Sequence, residues 1–141
     1  MLNVPPVVTA LLAAFVVIHA VRAFVLSPQA DIEFLLLFSF IPARYDAVWL
    51  GQEVPGGLGG LIWTFVTYAL IHANVLHLGI NAVWFLAFGS AVARRFGAAR
   101  FLLFFAVTAA AGAALHLVTH VGEAVSVVGA SAAMKDRKSV V

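Results

Sequence analysis

From about Val7 to Leu26 the chain runs for 20 residues with a single formally charged side chain, Arg22. A stretch of that length and polarity matches a hydrocarbon core about 30 Å thick at about 1.5 Å of rise per residue. Composition extends the constraint to the whole chain. It is 64% hydrophobic and 10% charged, with a mean hydropathy of +1.08, against roughly 45–50% apolar and about 25% charged residues in a soluble domain. A soluble fold of 141 residues with this balance could not cover its surface with polar groups. The net charge is only +2, and no basic run or nucleic-acid motif accompanies the pI of 9.5, so nucleic acid is excluded as a partner. The absence of cysteine excludes a disulfide framework and thiol chemistry. Met1-Leu2-Asn3-Val4-Pro5-Pro6 lacks the basic region and small-residue cleavage site of a secretory signal, so the first apolar segment is expected to be a retained helix.

The pattern predicts an all-α polytopic membrane protein. Three spans are expected, at about 7–26, 75–93 and 101–121, with a fourth starting at about 130. Pro5-Pro6 suits the start of the first and Ser27-Pro28 its end. Arg22, near that end, is expected to snorkel to the headgroups beside His19. Residues 27 to about 60 are too polar and too broken to span. Ile32–Ile41 is a short apolar stretch of the re-entrant or interfacial kind, and Pro55-Gly56-Gly57-Leu58-Gly59-Gly60 is a cluster of breakers. A long amphiphilic loop on one face of the membrane is the expectation. Arg94, Arg95 and Arg100 are the densest basic cluster between spans, which puts their turn and the N-terminus in the cytoplasm. The run Thr108-Ala109-Ala110-Ala111-Gly112-Ala113-Ala114 suits close helix packing in lipid.

Polar groups at membrane depth are costly and need partners. His72, His77 and Asn81 form H-x4-H-x3-N, with His77 and Asn81 one turn apart on one face of the second span and His72 at or just above the membrane surface. In a structural role they would hydrogen-bond to neighbouring helices or to the loop. In a catalytic role His77 and Asn81 would aim donors at a developing negative charge. Metal binding is the third option, weakened by the absence of HExxH. His116 and His120, at i and i+4, have better metal geometry but no nearby carboxylate or third ligand, and contact with headgroups is the expectation for them. No metal or cofactor is predicted. Ser131 lies in Gly129-Ala130-Ser131-Ala132, where a fourth helix would begin. A glycine nearby permits close backbone approach, and a helix N-terminus offers free N–H groups to an oxyanion.

A first span, a long outer loop, H-x4-H-x3-N entering the second span, a basic turn, a small-residue third span and G-x-S opening a fourth occur here in order. Taken together over residues 1–134 they resemble the rhomboid family of intramembrane serine proteases. The resemblance implies a rhomboid-like helical bundle embedded in the lipid bilayer, with transmembrane proteins as substrates cut near the outer surface. It makes Ser131 the nucleophile, His77 and Asn81 the oxyanion-stabilising side chains together with the Ser131 backbone N–H, and Gly129 part of the active-site loop. His72 then anchors the loop. The family's general base is a histidine on a sixth span. Ala132 stands where the family motif usually carries glycine, and Arg44-Tyr45 and Trp49 are the nearest counterparts of a Trp-Arg pair in the outer loop, with no role assigned.

No histidine follows His120, so the general base is absent and the chain as written is expected to be an inactive N-terminal fragment. Lys135-Asp136-Arg137-Lys138 does not suit the middle of a membrane helix, where each charge costs roughly 2.5–3.5 kcal/mol. Residues 135–141 are therefore expected to be a non-native or frameshifted tail; Asp136–Val141 is also what a common sequencing-adapter strand encodes in one frame. The compact layout suggests a bacterial inner membrane. Two other functions fit the same residues: a rhomboid-like pseudoprotease that binds transmembrane helices without cutting them, and a small transporter or metal-handling membrane protein.

Overall fold

In a computed structural model the structure describes residues 3–123, and the expected fourth span with Gly129 and Ser131 lies outside them. Helix α1 (Pro6–Ala20) starts with Pro6 in its first turn, where a missing N–H costs nothing, and continues through a π-helical turn at Val21–Val25. Leu26 is extended, and Ser27 caps α2 (Pro28–Phe38) by accepting from the Ala30 N–H at 3.2 Å. Short α3 (Ala43–Trp49) follows, then α4 (Gly57–Thr67), which tightens into a 3₁₀ turn at Tyr68–Leu70. Helix α5 (Val75–Trp84) runs through a π-helical turn, Phe85–Gly89, into α6 (Ser90–Phe96). Gly97, at φ +82°, reverses the chain into α7 (Ala98–Thr119).

Three stretches are long and apolar enough to cross a membrane: Pro6–Val25, Val75–Phe96 and Ala98–Thr119. Only 11%, 11% and 17% of their residues are buried inside the protein, so most of their apolar surface faces outward. That distribution suits lipid and would not suit water. The protein is an all-helical, polytopic membrane protein. The second and third stretches are separated by Gly97, whose positive φ fixes the turn. Val8, Ala93 and Phe101 form the core at one end, with Leu11, Leu12 and Phe85 packed around them. At this end Arg94 donates to the Asn3 carbonyl at 2.8 Å.

The expected long loop is mostly helical. Helix α2 is too short to span and must satisfy its last carbonyls in an environment poor in water. Side chains from the following segments do this in order. Arg44 donates to the Leu36 carbonyl, the Trp63 indole to Leu37 at 2.8 Å, and the Thr67 hydroxyl to Phe38 at 2.6 Å. The Leu35 carbonyl takes the Ser39 N–H at 2.9 Å. Arg44 also reaches the Gly60 carbonyl at 3.3 Å, which ties α2 to α4. Phe40, fully buried, sits edge-on to Phe65 at 5.0 Å beneath this layer.

The breaker cluster corrects the sequence expectation in part. Gly56 and Gly57 do turn the chain with positive φ, but Gly57–Gly60 open α4 rather than end the loop. A Cβ on Gly60 would stand 2.7 Å from the Pro55 carbonyl oxygen, so the glycine is required by close packing. The small-residue run behaves as expected. Ala109 and Ala113 are buried, and Tyr68 of the 3₁₀ turn donates to the Ala109 carbonyl at 2.8 Å above Gly112, where a Cβ would meet its oxygen at 2.9 Å.

Candidate functional site

The chain breaks helix between Leu70 and Val75, and the candidate polar residues gather there. A break at the membrane boundary leaves backbone groups that need partners. The Ile71 N–H bonds the Tyr68 carbonyl at 3.1 Å. Asn74, extended at φ −156°, caps α5 by accepting from the His77 N–H at 2.8 Å. The Ala73 N–H approaches His77 Nδ1 at 3.5 Å, the long end of a hydrogen bond. The His72 carbonyl is taken by Arg22 at 3.1 Å.

Arg22 therefore does not snorkel. Its Nε and Nη2 hold Asp31 of α2 at 2.7 and 3.1 Å, its Nη1 holds the His72 carbonyl, and its side chain is 12% exposed. A planar fork of donors serves a carboxylate and a carbonyl at once, and the nearby partners outcompete headgroups. His72 lies just before α5. It is buried inside the protein, 2% exposed, a burial that its spacing in the motif did not mark, with its ring 5.0 Å from Phe15 and 5.2 Å from His77. Burial, and secondarily the neighbouring His77, push its pKa down to about 4, so the ring is neutral at pH 7.

His77 is exposed and Asn81 half-buried on successive turns of α5. A backbone N–H can only donate, so a neutral His77 that accepts from Ala73 at Nδ1 carries its proton on Nε2. Its outward edge is then a hydrogen-bond donor. Asn81 and His72 border a cavity of about 380 Å³ between α1, α5–α6 and α7, otherwise lined by apolar groups such as Phe15, Phe85 and Phe105, with Thr108 the remaining polar contributor.

The outer loop also meets the end of α7. The Ala43 N–H donates to the Glu123 carbonyl at 3.0 Å, and a Cβ on Gly122, at φ +76°, would stand 3.2 Å from an Asp46 carboxylate oxygen. His116 and His120 stack with centroids 4.1 Å apart, and His120 Nδ1 lies 2.7 Å from the Thr119 hydroxyl. Among the described residues no group of three or more His, Cys, Asp or Glu side chains is placed to hold a metal. Gly129 and Ser131 lie outside the described residues. Sequence spacing brought out His72, His77 and Asn81 but missed Arg22 and Asp31 as their supports; the signal was an arginine and an aspartate nine residues apart across a Ser-Pro helix start.

These features define a class of protein: a helical membrane protein whose polar residues sit at a helix break under a capped, membrane-level loop. The family model described as the Rhomboid domain matches residues 59–135, more than half of the chain. The chain belongs to the rhomboid family. It is 35% identical over 95 residues to YdcA of Bacillus subtilis, a protein assigned as a rhomboid protease, covering 65% of this chain and 46% of that protein. It is 33% identical over 49 residues to the rhomboid protease GlpG of Haemophilus influenzae, covering 35% of this chain and 26% of that one. These matches span less than half the length of either relative.

Proposed function

We propose that this chain carries the nucleophile and the oxyanion-binding side of an intramembrane serine endopeptidase that cuts transmembrane segments of membrane proteins near the outer surface. The observation that carries the proposal is the pair His77 and Asn81, one turn apart on α5, with His77 exposed and its Nδ1 facing the Ala73 N–H at 3.5 Å. Ser131 attacks the scissile carbonyl carbon through Oγ while a base removes the hydroxyl proton. The carbonyl π electrons move to oxygen, and the His77 Nε2–H, the Asn81 amide and the Ser131 N–H donate to that oxyanion. Collapse expels the amine, which takes the proton from the base, and water then hydrolyses the acyl-enzyme. Gly129 lets the backbone approach the substrate. The base is a histidine on a later span, as in the family resemblance. Residues 135–141, Lys135 to Val141, are proposed to be non-native.

We infer a bacterial inner membrane and a cytoplasmic N-terminus. Arg94, Arg95 and Arg100 are exposed at the α6–α7 turn, and Arg94 reaches Asn3, so the N-terminus lies at the same end. Arg22 and Arg44, which on a simple count oppose this orientation, are both held by internal partners.

The test is cleavage of a single-span reporter in membranes by the protein read through its complete frame. Wild-type cleavage that vanishes in Ser131→Ala, and drops about 10²–10³-fold in His77→Ala as for loss of one oxyanion donor, supports the protease. Absence of cleavage by a complete chain carrying a downstream histidine favours a binding-only rhomboid.

A further inference from the structure

The two halves of one peptide group join the Arg22–Asp31 pair to His77. The carbonyl of His72 accepts from Arg22 at 3.1 Å, and the N–H of the same peptide, which belongs to Ala73, points to His77 Nδ1 at 3.5 Å. The peptide is trans, so its C=O and N–H face opposite sides. It forms a straight relay from the guanidinium on one side to the imidazole on the other. Arg22 is itself fixed by two bonds to Asp31 and by the Phe34 ring, 5.9 Å from its guanidinium carbon. A cation on the carbonyl polarises the peptide and makes its N–H a stronger donor. That donor can only be met by an unprotonated Nδ1, which places the His77 proton on Nε2.

We propose that Arg22 and Asp31 are positioning residues that set the tautomer and orientation of His77 through the peptide between His72 and Ala73. The catalytic part rests on the reading of His77 as an oxyanion donor; the structural part does not. Neither residue lies in the H-x4-H-x3-N motif; Arg22 comes from the π-helical turn that follows α1 and Asp31 from α2. The relay makes the far end of the first span part of the site. Without it the Ala73 N–H is a weaker partner, the His72 carbonyl is unmatched, and His77 is free to take its proton on Nδ1 and turn a lone pair toward the substrate.

The test uses the complete protein in nanodiscs with ¹⁵N-labelled histidine, with the His77 signals assigned by their loss in His77→Gln. The wild type is expected to show one His77 tautomer, protonated at Nε2. Arg22→Met and Asp31→Asn are expected to mix the two tautomers and to lower kcat about tenfold, a part of the 10²–10³ for complete loss of a donor, with KM within twofold. Arg22→Lys keeps the charge but not the fork, and should fall between. If Arg22→Met does not fold, the other two variants decide. An unchanged His77 tautomer in the variants overturns the relay. A mixed tautomer with unchanged kcat, in an enzyme that cleaves, overturns the positioning role. A wild type that does not cleave overturns the protease reading instead, and the NMR comparison then decides the relay by itself.

Discussion

Replacing Arg44 by methionine removes the side chain that links α2 to α4 while leaving most of its volume filled. The two carbonyls it serves respond differently. Gly60 keeps a second partner, the Thr64 hydroxyl at 2.6 Å, so its loss is small. Leu36 belongs to the last turn of α2, where no later helical N–H is due, and Arg44 is its side-chain partner. An acceptor orphaned in this part-buried setting costs about 1–3 kcal/mol, and the lost bond to Gly60, which keeps Thr64, adds less than about 1 kcal/mol. Against this, the variant no longer buries a guanidinium, whose pKa burial lowers, and that relief returns part of the cost. The net expectation is a loss of about 1–3 kcal/mol. Reversible unfolding of the complete protein in mixed micelles with increasing SDS measures it, with Thr67→Val as a comparison at the neighbouring Phe38 carbonyl and an expected loss of about 1 kcal/mol. Arg44→Met within about 0.5 kcal/mol of wild type, the range of a neutral surface change, would refute the claim that these side chains finish the α2 helix.

Stability should also fall in acid through His72. Its folded pKa of about 4 lies below the ordinary 6.5, so the unfolded chain binds the proton first. The contribution is complete above about pH 6.5 and is lost as pH falls through 4, at most about 3 kcal/mol; the difference between wild type and His72→Phe in unfolding from pH 7 to 4 reads it, and parallel curves would sink it. Gly112→Ala should destabilise the wild type by about 1 kcal/mol by driving out the Tyr68 hydroxyl, yet be neutral or stabilising in Tyr68→Phe, because alanine is the better helix former; additive effects in that double-mutant cycle would contradict the contact. Single cysteines placed at Ala98 and at Gln52 should label from opposite sides of the membrane, Ala98 from the cytoplasm, and labelling from the same side would overturn the orientation.

The spans were legible because the bilayer makes length and polarity sufficient: about 20 apolar residues between Pro5-Pro6 and Ser27-Pro28 leave little choice. His77 and Asn81 were legible as a pair because a helix repeats every 3.6 residues. Other features depended on neighbours that one-dimensional spacing does not reveal. Gly57–Gly60 looked like a break because glycine is a poor helix former, and the approach of the Pro55 carbonyl to Gly60 and of the Trp63 ring to Gly59 shows why glycines stand inside that helix. Arg22 looked like an interfacial charge, and Arg44 had no assigned role, because the carbonyls they serve, those of His72, Leu36 and Gly60, belong to other segments and are marked by no sequence pattern. The burial of His72 followed from Phe15, 57 positions earlier, closing over its ring. Ser131, legible only through its G-x-S setting and the family resemblance, falls outside the described residues.

A membrane protein that hydrolyses a peptide bond, as proposed for this chain, must expose polar groups where lipid forbids unpaired ones, and the helix breaks of this chain bear on both demands. Two breaks outside the three spans are closed by long-range side chains: Arg22 at the His72 carbonyl, and Arg44, Trp63 and Thr67 along the end of α2. Asn74 closes the start of α5 locally. With those carbonyls matched, His77, exposed, and Asn81, half-buried, share one face of one helix beside the break. The break cannot be removed without removing the cap that starts α5. It cannot be left open without the cost of unmatched carbonyls at membrane depth, several kcal/mol each. The loop that caps these breaks is therefore part of what holds the site in shape, and substitutions in α2 and α4, distant in sequence from His77, should act on it through Arg22, Asp31 and the peptide they hold.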